Sequence, residues 1–131
     1  MAKMIHSMIR VLNEERSLAF YRTAFGLEVV DRLGFDSFTL IYLSNPENGF
    51  ELELTVNHGR EEAYDLGNGY GHLAVSVPDV QAEYERMSKA GLEPLQVKEL
   101  RLHDRLVGKF FFIKDPDGYL IEVLERGGRF Q

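Results

Sequence analysis

The sequence predicts an α+β fold made of two βαβββ modules, because its two halves carry the same residue types at matching offsets. In each half a histidine opens an apolar segment, a Gly-Leu pair follows a helical pattern, and a glycine and an aromatic residue precede a glutamate. The matching segments are 6–11 with 72–77, Gly26-Leu27 with Gly91-Leu92, and 49–54 with 118–123. Two copies are too few for a solenoid. We therefore expect one domain over residues 1–131, with modules at about 1–64 and 70–131.

The first module is predicted to contain a strand, a helix and three further strands. Residues 5–11 alternate in polarity, which is typical of a strand buried on one side, with His6 pointing away from the core. Asn13 is a candidate N-cap for a helix that Gly26 would end. The helix face expected to be buried carries Leu18, Tyr21 and Phe25. The three following strands are expected at 28–33, 37–43 and 50–56.

The second module repeats this order. A strand at 71–77 precedes a helix that Asp79 would cap and Gly91 would end, with Val80, Tyr84 and Met87 facing inward. Strands are expected near 94–99, 107–113 and 119–125. The sequence Asp115-Pro-Asp-Gly118 joins the last two strands, and its composition is a strong signal for a hairpin turn.

Composition and charge exclude several classes of function. With no cysteine among 131 residues, disulfides and thiolate metal sites are impossible, so imidazole and oxygen must supply all protein ligands of any metal. A net charge of −6 argues against nucleic acid binding, which needs a basic field. No apolar stretch approaches the ~20 residues of a membrane span, and no signal-peptide pattern is present. We therefore expect a cytoplasmic protein that binds neither nucleic acid nor a membrane.

Four residues are candidate ligands of a metal: His6, Glu53, His72 and Glu122. Two imidazoles and two carboxylates suit a divalent ion, whose charge the carboxylates would balance. Taken singly, a strand histidine is more often a hydrogen-bonded structural residue, and a strand glutamate more often faces solvent. Repetition at matched offsets in both halves favours the metal site. His58 and His103 have no counterpart in the other half and are expected to be ordinary loop histidines.

Five segments resemble glyoxalase I, the lactoylglutathione lyase family of the vicinal oxygen chelate superfamily, over nearly the whole chain. These segments are 6–11, 20–27, Glu53-Leu-Thr-Val-Asn57, Tyr70-Gly-His-Leu-Ala-Val75 and Asp115-Pro-Asp-Gly-Tyr-Leu-Ile-Glu122. The resemblance implies mixed, curved sheets that form a cup around an octahedral metal, and a homodimer with active sites at the subunit interface. The histidine and glutamate of the first module in one subunit would then meet those of the second module in the other.

The resemblance also implies an activity. The family isomerises the hemithioacetal of methylglyoxal and glutathione to S-D-lactoylglutathione, which detoxifies methylglyoxal. The metal would stabilise the enediolate that forms when the carbon-bound proton leaves. Glu122 is the first choice as catalytic base, and Glu53 is its partner on the other face of the substrate. Short chains of this family prefer nickel or cobalt and longer ones zinc, so we expect nickel, with cobalt or zinc as alternatives.

Glutathione recognition is where this chain departs from the family pattern. Arg10 and Asn57 match positions that contact glutathione, and Arg10 suits a carboxylate, although a surface salt bridge is its simplest alternative role. The family's basic residue just ahead of Gly108 is replaced by Val107. Candidates to substitute for it are Arg101, Arg105 and Lys109. An aromatic that often follows the motif asparagine is replaced by His58.

Two other kinds of function remain open on the same fold. One is another enzyme of the superfamily, either an acyl-CoA epimerase, which usually has glutamine in place of Glu53, or an iron dioxygenase, which uses a single glutamate. The other is a non-catalytic small-molecule-binding protein, which would have no need of four ligands. The presence of both carboxylates favours the lyase over each of them.

Overall fold

The computed structural model describes residues 1–131, which divide into two compact units, Met1–Asp65 and Leu66–Gln131. Each unit contains one helix and four strands in the order βαβββ. The first unit comprises β1 His6–Arg10, α1 Glu14–Phe25, β2 Glu28–Gly34, β3 Phe38–Ser44 and β4 Glu51–Asn57. The second unit comprises β5 Leu73–Val77, α2 Val80–Lys89, β6 Lys98–Leu102, β7 Arg105–Lys114 and β8 Leu120–Glu125. The predicted α+β fold with two βαβββ modules is confirmed.

The sheet of the first unit has the strand order β1-β4-β3-β2, in which β1 runs parallel to β4 and the other neighbours are antiparallel. One face of this sheet forms the core of the unit with the helix. Its buried apolar residues are Ile9, Val11, Ile41, Leu43, Leu52 and Leu54. Because side chains alternate along a strand, the residues between them project from the other face. That second face carries His6, Tyr42 and Glu53.

Helix α1 begins and ends where the sequence predicts. The side chain of Asn13 accepts a hydrogen bond from the Arg16 backbone N–H at 2.9 Å, and Gly26 adopts a left-handed conformation with φ 62°. The buried stripe differs from the prediction, since it consists of Ser17, Phe20, Tyr21 and Ala24. Leu18 and Phe25 are only half-buried. The small side chains of Ser17 and Ala24 take the inner positions and let the helix lie close to the sheet.

The sheet of the second unit has the order β5-β8-β7-β6 and repeats the pairing pattern of the first, with β5 parallel to β8. Asp79 caps α2 by accepting from the Ala82 N–H at 3.0 Å. Val80 and Met87 are buried as predicted, whereas Tyr84 is half-buried. Gly91 is left-handed just beyond the helix, with φ 76°.

The hairpin turn predicted between the last two strands is confirmed. One side-chain oxygen of Asp115 accepts hydrogen bonds from the backbone N–H groups of Asp117 and Tyr119, both at 2.9 Å. Gly118 has φ 97°, a conformation that favours glycine. The turn therefore fixes the register in which β8 returns beside β7.

Two strands of the second unit are displaced from their predicted positions. Strand β5 begins at Leu73, so His72 lies immediately before it rather than within it. Strand β6 begins at Lys98 and not near residue 94. Leu95 makes one backbone bond to the carbonyl of Phe112 at 2.8 Å, but Pro94 has no N–H to extend that pairing. Neither helix of the chain combines the length and apolarity needed to cross a bilayer.

Candidate metal centre

In the first unit the two predicted ligands lie side by side. Strand β1 runs along β4 with Met8 opposite Glu53, which brings the side chains of His6 and Glu53 to the same face. The Nε2 atom of His6 is 3.1 Å from Oε2 of Glu53. The imidazole is 35% exposed and the carboxylate 11%. The pair is therefore open on its imidazole side, while its carboxylate is set into the sheet.

Tyr42 is a third member of this group that sequence reasoning missed. It lies opposite Glu53 on the neighbouring strand β3, and its hydroxyl donates a hydrogen bond to the Glu53 carboxylate. Its ring stands edge-on to the His6 imidazole, with centroids 5.9 Å apart. The hydrogen bond to Glu53 is the main reason that the pKa of Tyr42 is raised, followed by burial and by the charges of Glu53, Asp31 and Glu51. The Tyr42 hydroxyl therefore remains protonated and serves as a donor at neutral pH.

The second unit has a matching pair. His72 Nε2 lies 2.5 Å from Glu122 Oε2, and their side chains are 37% and 16% exposed. Phe112 occupies the place that Tyr42 has in the first unit. It lies opposite Glu122 on the neighbouring antiparallel strand β7. Its ring is again edge-on to the histidine, at 5.1 Å between centroids.

Each pair offers half of the ligand set that a divalent ion needs. Within either unit no third histidine, aspartate or glutamate joins the pair to complete a cluster. Adjacent donors about 2.1 Å from an octahedral ion would lie about 3.0 Å apart. The His6–Glu53 separation of 3.1 Å already fits that spacing, whereas the His72–Glu122 contact of 2.5 Å would have to open slightly. By donor type and spacing, the residues present fit a metal.

The candidate substrate residues of the first unit lie on the same face as its pair. Arg10 follows His6 by four positions on β1 and is exposed. Asn57 follows Glu53 by four positions on β4, and its Nδ2 donates to the Tyr64 hydroxyl at 2.8 Å. Strand alternation thus brings an arginine and an amide to the side of the sheet that carries the ligands.

The three basic candidates of the second unit are placed differently from one another. Arg101 is bound to Glu99 at 2.8 Å and to the carbonyl of Asp104 at 3.3 Å. Arg105 opens β7 and is exposed. Lys109 is on the face of β7 that carries the buried Phe111, opposite to the face with Glu122. It lines an open groove beside the start of α2 together with Asp79, Gln81, Lys98 and Glu99. Lys109 and Glu122 therefore do not share a face of the second sheet.

Two histidines, His58 and His103, have no counterpart in the other unit and lie outside the two pairs. His58 lies with Nε2 2.8 Å from the Thr39 hydroxyl and Nδ1 3.1 Å from the carbonyl of Asp36, so both ring nitrogens are used within the first unit. His103 sits in the β6–β7 turn with a positive φ of 54°.

Comparison with known proteins gives consistent results. A model of the glyoxalase/bleomycin resistance protein/dioxygenase superfamily matches residues 3–123. A lactoylglutathione lyase of Neisseria meningitidis is 36% identical over 128 residues, which are 95% of this chain and 91% of that protein. A lactoylglutathione lyase of Pseudomonas putida is 38% identical over 148 residues, covering 92% and 83% of the two chains.

Solved structures give the same result. A trypanothione-dependent glyoxalase I of Leishmania major superimposes with a TM-score of 0.76 at 33% identity, over 95% of this chain and 87% of that one. Glyoxalase I of Zea mays superimposes with a TM-score of 0.84 at 29% identity, over 96% of this chain and 45% of that chain.

Proposed function

Because the chain belongs to the glyoxalase/bleomycin resistance protein/dioxygenase superfamily and, within it, to the lactoylglutathione lyases, we propose that it is a glyoxalase I. It would isomerise the hemithioacetal of methylglyoxal and glutathione to S-D-lactoylglutathione in the cytoplasm and so detoxify methylglyoxal. The observation that carries this proposal is the repeated histidine–glutamate pair, one in each unit, at equivalent places of the two sheets.

The proposed site holds one divalent ion between the two pairs. His6 and Glu53 of one subunit would meet the second pair, His72 and Glu122, of the other subunit in a homodimer, and the two modules of each chain would form one domain. The two carboxylates would balance the charge of the ion, which supports this ligand set. Nickel is the proposed metal, with cobalt or zinc as alternatives, because imidazole and carboxylate ligands suit all three. When bound, the metal would stabilise the negative charge that develops on the vicinal oxygens of the substrate as the enediolate forms.

The proton transfers are assigned to the two glutamates. Glu122 would take the carbon-bound proton, and Glu53 would exchange a proton on the other face of the substrate. The partial burial of both carboxylates would limit competition from water for the substrate proton.

Arg10 and Asn57 are the proposed contacts for glutathione. Their position on the same face as His6 and Glu53 supports this role. Arg101, Arg105 and Lys109 remain candidates for a second carboxylate contact. Of these, Arg105 is the first choice, because Arg101 is bound to Glu99 and Lys109 faces α2.

The experiment that tests the proposal is isomerisation of the hemithioacetal by metal-stripped protein that receives one metal at a time. Thioester formation would be followed by ultraviolet absorbance with nickel, cobalt, zinc and magnesium. We expect the highest rate with nickel and none with the stripped protein. A parallel series with trypanothione in place of glutathione identifies the thiol. Absence of turnover with every metal and both thiols would overturn the proposal.

A further inference from the structure

The two histidine–glutamate pairs differ at one equivalent position. Tyr42 lies opposite Glu53, and Phe112 lies opposite Glu122, in the same antiparallel register. Both rings are edge-on to the histidine of their pair, at interplanar angles of 71° and 80°. The aromatic ring is thus common to both half-sites, and the phenolic hydroxyl is present in the first one only.

That hydroxyl changes the surroundings of one carboxylate. Glu53 is paired with His6 and also receives a hydrogen bond from Tyr42. It is 8% exposed as a residue, so these contacts act where water screens them little. Glu122 is paired with His72 and is somewhat more exposed, and the benzyl ring of Phe112 offers it no donor.

We propose that Tyr42 is a positioning residue that orients Glu53 as a ligand, so that the two glutamates have unequal freedom and Glu122 leaves the metal more readily. This inference rests on the proposed metal site and reaction. A hydrogen bond to a ligating carboxylate fixes its orientation, and the loss of such a partner typically lowers metal affinity 10- to 100-fold. The carboxylate without that partner can leave the metal and take the substrate proton.

The first test is Tyr42→Phe, which removes only the hydroxyl and makes the two half-sites alike. We expect the Kd for nickel, measured by competition with a chromophoric chelator, to rise about tenfold. The visible absorption of the cobalt-loaded variant should also change, because the orientation of one ligand is released. KM for the hemithioacetal should stay at the wild-type value. Tyr84→Phe is the matched control, since its ring packs on Phe111 on the other face of the second sheet.

The reciprocal test is Phe112→Tyr, which offers Glu122 the hydroxyl that it lacks. If mobility of Glu122 is required, a new hydrogen bond should lower kcat about tenfold without weakening nickel binding. Circular dichroism and thermal unfolding would establish that both variants are folded. Wild-type nickel affinity and an unchanged cobalt spectrum in Tyr42→Phe would overturn the positioning role. A wild-type kcat in a folded Phe112→Tyr variant that retains nickel would overturn the proposed difference in freedom between the two glutamates.

These outcomes differ from those that would overturn the proposed function. A wild-type protein that binds nickel without isomerising the hemithioacetal would remove the lyase activity, and the affinity and spectrum of Tyr42→Phe could still be read. An active wild type whose Tyr42→Phe variant is unchanged in all readouts would remove the inference and leave the activity.

Discussion

The glutamates of both pairs sit between two buried apolar neighbours on their strands. Glu53 lies between Leu52 and Leu54, both buried, and is itself 8% exposed. A carboxylate in such surroundings is costly unless a cation or several donors stabilise it. His6 and Tyr42 supply two contacts in the first unit. A divalent ion bound at the same oxygens would stabilise the charge further, as the proposed metal site requires.

Replacement of Glu122 by glutamine tests the proposed base. Glutamine keeps the size and one carbonyl oxygen but cannot accept the substrate proton. We expect kcat of the nickel-loaded Glu122→Gln variant to fall by about 10²- to 10⁴-fold, the usual contribution of general base catalysis. Glu85→Gln on the exposed side of α2 is the control, because the same chemical change there leaves both pairs intact. A wild-type kcat in Glu122→Gln would mean that another residue is the base.

At the level of elements, the turn before β8 determines where Glu122 is presented. Asp115 is buried and holds the backbone N–H groups of Asp117 and Tyr119. Asp115→Ala should lower the free energy of unfolding by about 1–3 kcal/mol, because two partly buried donors lose their acceptor. Asp115→Asn retains the acceptor oxygen and should lose less. Chemical denaturation of the three proteins would measure this order, and equal stability of Asp115→Ala and wild type would show that the turn forms without the side chain.

A salt bridge connects α1 to the edge strand of the first sheet. Arg32 on β2 donates to both oxygens of Glu14, at 2.8 and 3.0 Å, and this hydrogen bond is the main reason that the pKa of Glu14 is lowered from 4.5. A carboxyl group whose pKa is lowered by folding stabilises the protein above its ordinary pKa and loses that effect as pH falls. Glu14→Gln should therefore be slightly less stable than wild type at neutral pH, with a difference that disappears as pH falls below 4.5.

Thermal unfolding across this pH range, with and without added salt, would measure the contribution of the bridge. Salt should reduce the difference at neutral pH, because the Arg32 side chain is 52% exposed. Glu15→Gln, an exposed change one residue along α1, is the control. A stability difference that persists at low pH would assign the effect to something other than charge.

Elements with a strong local signal were predictable from the sequence. Asn13 and Gly26 bound α1 because an asparagine side chain can cap a helix, and because glycine, which has no side chain, readily adopts the left-handed conformation that ends one. Two features were not predictable. Strand β6 is displaced because its apolar pattern begins before the pairing with β7 does. The contact of Tyr42 with Glu53 depends on the register across the β3–β4 connection, which residue types alone do not specify.

At the level of the whole molecule, the proposed site requires that the pairs come from different subunits. A two-fold symmetric dimer would contain two such sites, each with a first-unit pair from one subunit and a second-unit pair from the other. A chain with Glu53→Gln and a chain with Glu122→Gln would each form a homodimer in which both sites carry one defect. A mixed dimer would concentrate both defects in one site and leave the other intact.

Mixed dimers of these two variants therefore distinguish shared sites from sites within one chain. The chains would be co-expressed with different affinity tags, purified through both tags in turn, and loaded with nickel. We expect about half of the wild-type kcat per dimer, since one of two sites is restored. Mixed-tag dimers of Glu53→Gln with itself provide the baseline. If the ligands of each site came from a single chain, every site would still carry one defect and the mixed dimer would be as inactive as its parents. Restoration of activity from two inactive chains thus requires that each subunit supply half of the catalytic groups to its partner.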